Sequence, residues 1–124
     1  MIKIEEFDKI DMRVGTIIEV KINKRAKKPA YKVVIDLGKE IGIKNSSAQI
    51  TELYSEQELI GKQVIVVINF EPMRIGDVKS EVRILGADTK KGVILLEPEK
   101  IVENGLKIFW KIKNNKEFYG RVIK

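Results

Sequence analysis

The stretch that decides the fold is Val64-Ile-Val-Val-Ile-Asn69-Phe-Glu-Pro72-Met-Arg74-Ile-Gly76-Asp-Val-Lys79-Ser80-Glu81-Val-Arg-Ile-Leu85. Its first run, 64–68, is β-branched throughout and predicts a strand that is covered on both faces. Its second run, 80–85, alternates between two faces and predicts another strand. The polar, partly basic loop between the runs is too long for a tight hairpin. Long ordered loops are often functional, so we expect it to contact a ligand, with a mobile surface hairpin as the alternative.

The composition bounds both the fold class and the chemistry. A chain of 124 residues with 44% hydrophobic residues can form one globular domain with a real core. It has no cysteine and no histidine, which excludes disulfides, histidine-based catalysis and the usual zinc sites. Paired carboxylates such as Glu5 and Glu6 have no nucleophile or base nearby, so we expect neither an enzyme nor a metal or other cofactor.

The sequence has no features of export or membrane insertion. No apolar stretch approaches the length of a membrane-spanning helix, and the N-terminus lacks the architecture of a signal peptide. We therefore expect a cytoplasmic protein.

Charge is the second strong signal, because the chain carries a net +6 and the excess is clustered. The run 21–32 contains six basic residues, Lys27 and Lys28 among them, and no acid. Residues 107–124 are also basic, with Glu117 as their one acid. Clustered positive charge is typical of proteins with a polyanionic partner, and a solvated lysine-rich surface is the alternative.

Periodicity predicts short strands with a few helical segments. We expect an amphipathic helix over about 2–10, strands at 13–22 and 31–37, and a third strand beginning at 41–44. Ser46 or Ser47 is expected to cap a short helix, and 55–61 to form a helical turn that ends at Gly61. A last strand is expected at 93–96. One face of the first strand is predicted to carry Val14, Thr16, Ile18, Val20 and Ile22, and Gly15 to mark a bulge or bend.

The order of three strands, a helix and two strands is that of an OB-fold. We therefore predict a mainly β, five-stranded OB-fold barrel with a short N-terminal helix; such barrels bind oligonucleotides at their middle strands and loops. We assign 1–108 to this domain and 109–124 to a basic C-terminal extension of it. Alternation around Asn114-Asn115 predicts a hairpin over 107–123 in which Trp110 packs on Tyr119, with a disordered basic arm as the alternative.

Three separated motifs resemble one known family. Residues 7–15 resemble the opening of the tRNA-binding domain family, whose members include free-standing dimers and domains appended to methionyl- and phenylalanyl-tRNA synthetases. Asn69-Phe-x-Pro72 followed by Lys79-Ser80-Glu81 resembles the second motif of the family. Residues 40–51 are similar to the CsaA branch, described as a protein-export chaperone. The resemblance covers about residues 5–108.

The resemblance implies an OB-fold, a homodimer and no catalysis. Its partners would be tRNA or other structured RNA, or, in the CsaA branch, unfolded precursor proteins and the export machinery. The residues after Ser80 depart from many tRNA-binding members, and 109–124 extend beyond the expected end of the CsaA branch. The RNA-facing positions of the family carry over onto Asn69, Met73, Arg74, Lys79, Ser80 and Glu81.

Each candidate residue also has a structural alternative. Asn69 suits a base edge or a peptide backbone, but an asparagine at the end of a strand also stabilises turns. Lys79 can reach phosphate or guard a sheet edge. Glu81 is expected to fix Arg74 or Lys79 rather than to contact RNA. Apolar contacts to a base or a peptide are expected from Tyr31, Phe70 and Met73, with filling of the core as the alternative, especially for Tyr31.

The predicted strand 64–68 also bears on assembly, because a strand that is apolar on both faces needs cover on its outer side. The N-terminal helix, with Ile4, Phe7 and Ile10, or a partner subunit through this surface, could provide it. The sequence leaves three functions open: an RNA-binding module, a chaperone for extended polypeptides, and a structural dimer that scaffolds other factors.

Overall fold

The computed structural model describes residues 1–110. The predicted turn at Asn114-Asn115 and the predicted contact of Trp110 with Tyr119 lie outside these residues. Among the described residues, no helix combines the length and the apolar composition needed to span a bilayer. The elements are α1 Ile4–Asp8, β1 Met12–Ile22, β2 Tyr31–Asp36, α2 Gly38–Ile41, β3 Ile43–Ala48, α3 Glu56–Leu59, β4 Gln63–Val67, β5 Met73–Ile75, β6 Val78–Ser80, β7 Arg83–Ile84, β8 Gly86–Thr89 and β9 Gly92–Leu95.

Five antiparallel strands form the barrel, in the order β3-β2-β1-β4-β7. The long strand β1 joins the two halves, since its end at 16–22 pairs with β2 and its start at 12–16 pairs with β4. The two edges approach each other where the N–H groups of Glu81 and Val82 donate to the carbonyl of Asn45, at 2.8 and 3.3 Å. This nearly closed barrel, with α3 between β3 and β4, confirms the predicted OB-fold.

The pattern within β1 differs from the prediction, because a bulge interrupts the alternation. The register with β2 shifts between Ile17 and Glu19, so Ile17 is fully buried whereas Ile18 is 43% exposed. The predicted shared face, which included Ile18 and Ile22, is therefore wrong. Gly15 is not the bulge: a Cβ at this position would lie 2.5 Å from Cγ2 of Ile35. Glycine is needed there because β1 and the Ile35 side chain pack closely.

The segment predicted to begin a helix at Ser46 or Ser47 is a strand. Both serines belong to β3 and pair with β2, so the helix starts later, at Ser55. The Oγ of Ser55 accepts a hydrogen bond from the N–H of Glu58 at 3.3 Å, and the Ser55 N–H donates to the Glu58 carboxylate at 2.9 Å. The hydrogen bonds from the Ser55 backbone and side chain lower the pKa of Glu58. The predicted helical turn at 55–61 is confirmed.

The outer side of the barrel is covered within the chain. The sequence pattern predicted that the N-terminal helix or a partner subunit covers β4. All five residues of β4 are already buried within the single chain. A C-terminal strap, residues 102–108, follows β1: Val14 exchanges hydrogen bonds with Leu106 and Gly105, at 3.0 and 2.7 Å. Arg13 holds the strap, since it donates to the Gly105 carbonyl at 2.9 Å and to Asp11 at 2.6 Å. The hydrogen bond to Asp11 raises the pKa of Arg13.

Candidate nucleic-acid interface

A groove with positively charged walls lies between two loops of the barrel. One wall is the loop 23–30, which joins β1 to β2, and the other is the hairpin formed by β5 and β6. The space between them measures about 370 Å³. We call it the basic groove; its lining residues are Arg25, Ala26, Lys27, Lys28, Ala30, Gln49, Arg74, Ile75 and Gly76.

Asn23 joins the two walls from below. Its side chain is buried and makes three hydrogen bonds: Nδ2 donates to the Ile75 carbonyl at 2.7 Å and to the Ser47 hydroxyl at 3.1 Å, and Oδ1 accepts from the Asp77 N–H at 3.2 Å. The Asn23 N–H also donates to the Ala30 carbonyl at 2.9 Å, which closes the base of the loop. One side chain thus fixes the loop 23–30 against both β3 and the hairpin.

Gly76 allows the hairpin turn to pack directly on the other wall. Its φ is +60°, and a Cβ there would lie 2.5 Å from the backbone nitrogen of Ala26 and 2.6 Å from Oδ1 of Asn23. An L-residue would be strained at this φ and would also push the two backbones apart. The width of the basic groove therefore depends on a glycine at this position.

The cations in and beside the groove are exposed, and most of them lack an acidic partner within residues 1–110. Lys27, Lys28, Arg74 and Lys79 form no ion pair within residues 1–110. Arg25 is the exception, since its Nε lies 3.5 Å from the carboxylate of Asp77. Arg74 and Lys79 occupy directly opposite positions in the hairpin, which places two like charges side by side. A multivalent anion would relieve this repulsion.

The structure brings together some of the residues selected from the sequence. Lys27 and Lys28, from the basic run, and Arg74, from the family motif, line the basic groove. Lys79 is exposed on the adjacent strand β6, opposite Arg74, but is not part of the lining. Met73, 57% exposed, lies at the start of β5, and Phe70 is exposed just before the hairpin.

Four other candidates have structural roles. The amide of Asn69 accepts from the Asp11 N–H at 3.0 Å and donates to the Lys9 carbonyl at 2.7 Å, which fixes the junction of α1 and β1. Ser80 is 0% exposed, so a ligand at the surface cannot contact it. Its hydroxyl accepts a hydrogen bond from the Ser47 N–H at 3.0 Å. Tyr31 belongs to the core.

Glu81 is the fourth candidate residue with a structural role. Its carboxylate accepts from the Asn45 N–H at 3.1 Å and lies 3.9 Å from the ammonium of Lys44, so Lys44 replaces the expected partner Arg74 or Lys79. The role of Glu81 is thus to fasten the two edges of the barrel.

The sequence interpretation missed three residues of the site. Asn23 and Arg25 lie inside the basic run already singled out, and an asparagine at a strand end was a usable signal for the first of them. Gln49 follows β3, in the segment expected to be helical, and its place at the groove required the correct strand assignment.

A second surface, which is mainly apolar and shares no lining residue with the basic groove, carries the residues proposed for dimerisation. Ile4 and Ile10 are exposed, and Phe7 lines a cleft of about 230 Å³ between α1 and residues 107–110. Trp110 also lines this cleft, and its indole N–H donates to the carboxylate of Asp8 at 2.7 Å. We call this surface the α1 cleft.

The five-stranded barrel, with its basic groove between two loops, defines an OB-fold binding domain. Residues 12–107 match the family described as "Putative tRNA binding domain", and the chain belongs to this tRNA-binding domain family. The family that the three motifs predicted is thereby confirmed.

Solved structures and a longer enzyme are similar to the chain. The CsaA chaperone protein from Picrophilus torridus has 53% identity and a TM-score of 0.84, over 88% of this chain and 100% of that one. The chaperone CsaA from Bacillus anthracis has 43% identity and a TM-score of 0.82, over 88% and 99%. These similarities confirm the prediction that the chain resembles the CsaA branch of the family.

The methionine–tRNA ligase of Pyrococcus horikoshii is 43% identical over 107 residues. These residues make up 86% of this chain but only 14% of the ligase, so the chain spans a small part of the length of that enzyme.

Proposed function

We propose that this protein binds RNA, with tRNA as its main ligand, and does not catalyse a reaction. The observation that carries the proposal is the basic groove, in which Lys27, Lys28 and Arg74 converge without an ion-pair partner among residues 1–110. Membership of the tRNA-binding domain family supports the same ligand. The proposal places the protein in the cytoplasm, where it would meet tRNA.

Phosphate contacts explain how such a groove would bind. Arginine and lysine displace the counterions condensed on nucleic acid, so affinity falls as salt rises. If about four phosphates are neutralised, the plot of log affinity against log salt has a slope of roughly −3 to −4. A protein whose groove is rigidly held by Asn23 presents these cations with little ordering cost on binding.

The test is a tRNA titration over a salt series. Replacing Lys27 and Lys28 with alanine should make the slope shallower by about one to two units and weaken all RNAs alike. The matched control replaces Lys90 and Lys91, an exposed pair at the β8–β9 turn that does not line the groove. Equal losses in both variants, or binding of tRNA by the wild type that does not depend on salt, would refute the proposal.

A second candidate is binding of extended polypeptide, as in an export chaperone. Two observations favour it: two of the similar solved structures are CsaA chaperones, and Met73 and Phe70 expose apolar side chains at and just before the start of the hairpin that forms one wall of the basic groove. Unfolded precursor protein and tRNA should then compete. A protein that binds the precursor but not tRNA would make this the function, with the export machinery as a further partner to seek.

We also propose that the chain forms a homodimer through the α1 cleft. Ile4, Ile10 and the cleft around Phe7 present apolar surface that a second copy can bury. Replacing Ile4 and Phe7 with glutamate should shift light-scattering masses from dimer to monomer while the circular dichroism spectrum is retained. A wild-type monomer at micromolar concentration would refute the dimer.

A further inference from the structure

The loop 23–30 has a groove on each of its two sides. The basic groove lies toward the hairpin, and a second groove of about 440 Å³ lies toward the end of β1. Ala26, Lys27 and Ala30 line both, so the loop is a ridge only a few side chains wide. A ligand held in one groove can therefore cross the ridge and enter the other.

The two grooves differ in chemistry. Four cationic residues line the basic groove, whereas the walls of the second are mostly apolar. Ile22 is 60% exposed there, Pro29 is exposed beside it, and Tyr31, a core residue that is 8% exposed, also lines the groove. The hydroxyl of Thr51 adds a group that can both donate and accept a hydrogen bond. We call this the apolar groove.

We propose that the apolar groove binds the base of an unpaired nucleotide while the adjacent phosphates of the same strand lie in the basic groove. This inference deepens the proposed function and rests on it. It assigns the ligand a chemical class: RNA with an accessible single-stranded nucleotide, in a loop or at an end, rather than uninterrupted duplex.

The order of surfaces across the ridge matches the order of groups along a nucleic-acid strand. Phosphates are charged and need cations, whereas an unstacked base has apolar faces to bury and polar edges to satisfy. A base within a duplex is stacked on both faces and cannot enter a groove of this kind. Lys27, which lines both grooves, is placed to contact the phosphate where the strand crosses.

An exposed isoleucine would otherwise be an uncompensated apolar group at a charged surface. Ile22 lies at the end of β1, within the stretch 21–32 that contains six basic residues, and it is 60% exposed among residues 1–110. Lysines flank the groove, which favours a polyanionic ligand over an extended apolar peptide. The position of the apolar groove, just across the ridge from the cations of the basic groove, therefore favours a base as the occupant.

The experiment compares Ile22→Thr with a matched control, Ile43→Thr. Threonine keeps the β-branch that suits a strand, and Ile43 is 59% exposed on β3 and lines neither groove. Fluorescence anisotropy is measured with a single-stranded RNA oligonucleotide, a fully paired hairpin of equal phosphate number, and an abasic oligonucleotide of equal length. Circular dichroism checks that both variants fold.

We expect Ile22→Thr to weaken the single-stranded RNA about fivefold at an unchanged salt slope, because no charge is lost. It should not affect the abasic oligonucleotide, and Ile43→Thr should affect neither. A third variant, Thr51→Val, should alter the preference among the four homopolymers, because valine retains the shape but not the hydroxyl.

Three results would overturn the inference: identical binding of wild type and Ile22→Thr, an equal loss for the abasic oligonucleotide, or a preference of the wild type for the paired hairpin. In each case salt-dependent binding that requires Lys27 and Lys28 would leave the proposed function intact. Absence of salt-dependent binding by the wild type would overturn both. A loss in Ile22→Thr that is confined to an unfolded polypeptide ligand would also overturn the inference and favour the second candidate function.

Discussion

The base and the rim of the basic groove are built on opposite principles. The base consists of Asn23 and the Gly76 turn, which are neutral, closely packed and hydrogen-bonded within the chain. The rim consists of Lys27, Lys28 and Arg74, which are exposed and form no ion pair in the described part of the chain. The base therefore determines the shape of the groove, and the rim determines what it attracts. Substitutions in the base should lower stability, whereas substitutions in the rim should change affinity without lowering stability.

The largest effect is expected for Asn23→Ala. The substitution leaves the Ile75 carbonyl and the Asp77 N–H, both in part-buried hydrogen bonds, without their partner, and an unsatisfied group that is shielded from water costs about 1–3 kcal/mol. We expect the free energy of unfolding to fall by about 3–5 kcal/mol, measured by urea denaturation. Asn69→Ala is the matched control, because its amide makes two hydrogen bonds at an exposed position, and it should cost about 1 kcal/mol. Equal costs would show that the base is no more critical than an ordinary surface turn.

Gly76→Ala tests the close approach of the two walls. A methyl group at φ +60° would lie 2.5 Å from the Ala26 nitrogen, so both backbone strain and a steric clash oppose it. We expect a loss of about 2–3 kcal/mol together with weaker RNA binding. Gly61→Ala separates the two causes, because φ there is +91° but nothing lies within 4 Å of the added Cβ. If Gly61→Ala costs as much as Gly76→Ala, the packing of the hairpin on the loop contributes nothing.

The sequence alone predicts the rim better than the base. Lys27, Lys28 and Arg74 can be selected from charge clustering and family motifs, because exposed cations act through charge and need no exact partner. The roles of Ser80 and Asn69 could not be assigned in this way, since a polar side chain next to a strand can point to solvent or satisfy a backbone group. Only the three-dimensional register determines which of these occurs.

The barrel, like the basic groove, has some features that the sequence predicts and others that it does not. The number and order of its principal strands follow from apolar runs and turns, so the OB-fold is predictable. The bulge at Ile18 and the extension of β3 through Ser46 and Ser47 are not, because both depend on pairing with β2. Local capping preferences favoured a helix at these serines, but the cross-strand hydrogen bonds prevail.

Arg74→Ala should lower the affinity for RNA without lowering the free energy of unfolding. Arg74 lies opposite Lys79 in the hairpin, and like charges directly opposite destabilise a sheet. Removing one should leave the free energy of unfolding unchanged or raise it by a few tenths of a kcal/mol, on the order of 0.2–0.5. Affinity for tRNA should nonetheless fall several-fold, with a salt slope about one unit shallower. A variant that loses stability and affinity together would place Arg74 in the base rather than the rim.

The smallest effect, and the one with the opposite sign, is expected for Asp77→Asn. Asp77 is the acid that pairs with a groove cation, since its carboxylate lies 3.5 Å from Nε of Arg25, and both side chains are largely exposed. Asparagine retains the backbone N–H that donates to Asn23, so the base of the groove stays intact. Exposed ion pairs contribute little, so the free energy of unfolding should change by less than about 0.5 kcal/mol.

Affinity, in contrast, should rise, because Arg25 becomes available for phosphate and a repulsive carboxylate is removed from beside this groove residue. We expect a gain of about two- to threefold at low salt and a slope steeper by up to about 0.9 units. Asp88→Asn makes the same change of charge at an exposed position on β8 that does not line the groove, and it should have a smaller effect. Because a general electrostatic effect depends on net charge, it would raise both affinities equally. A gain specific to Asp77→Asn, with the unfolding midpoint unchanged, would show that the charges of the rim can be altered without disturbing the base.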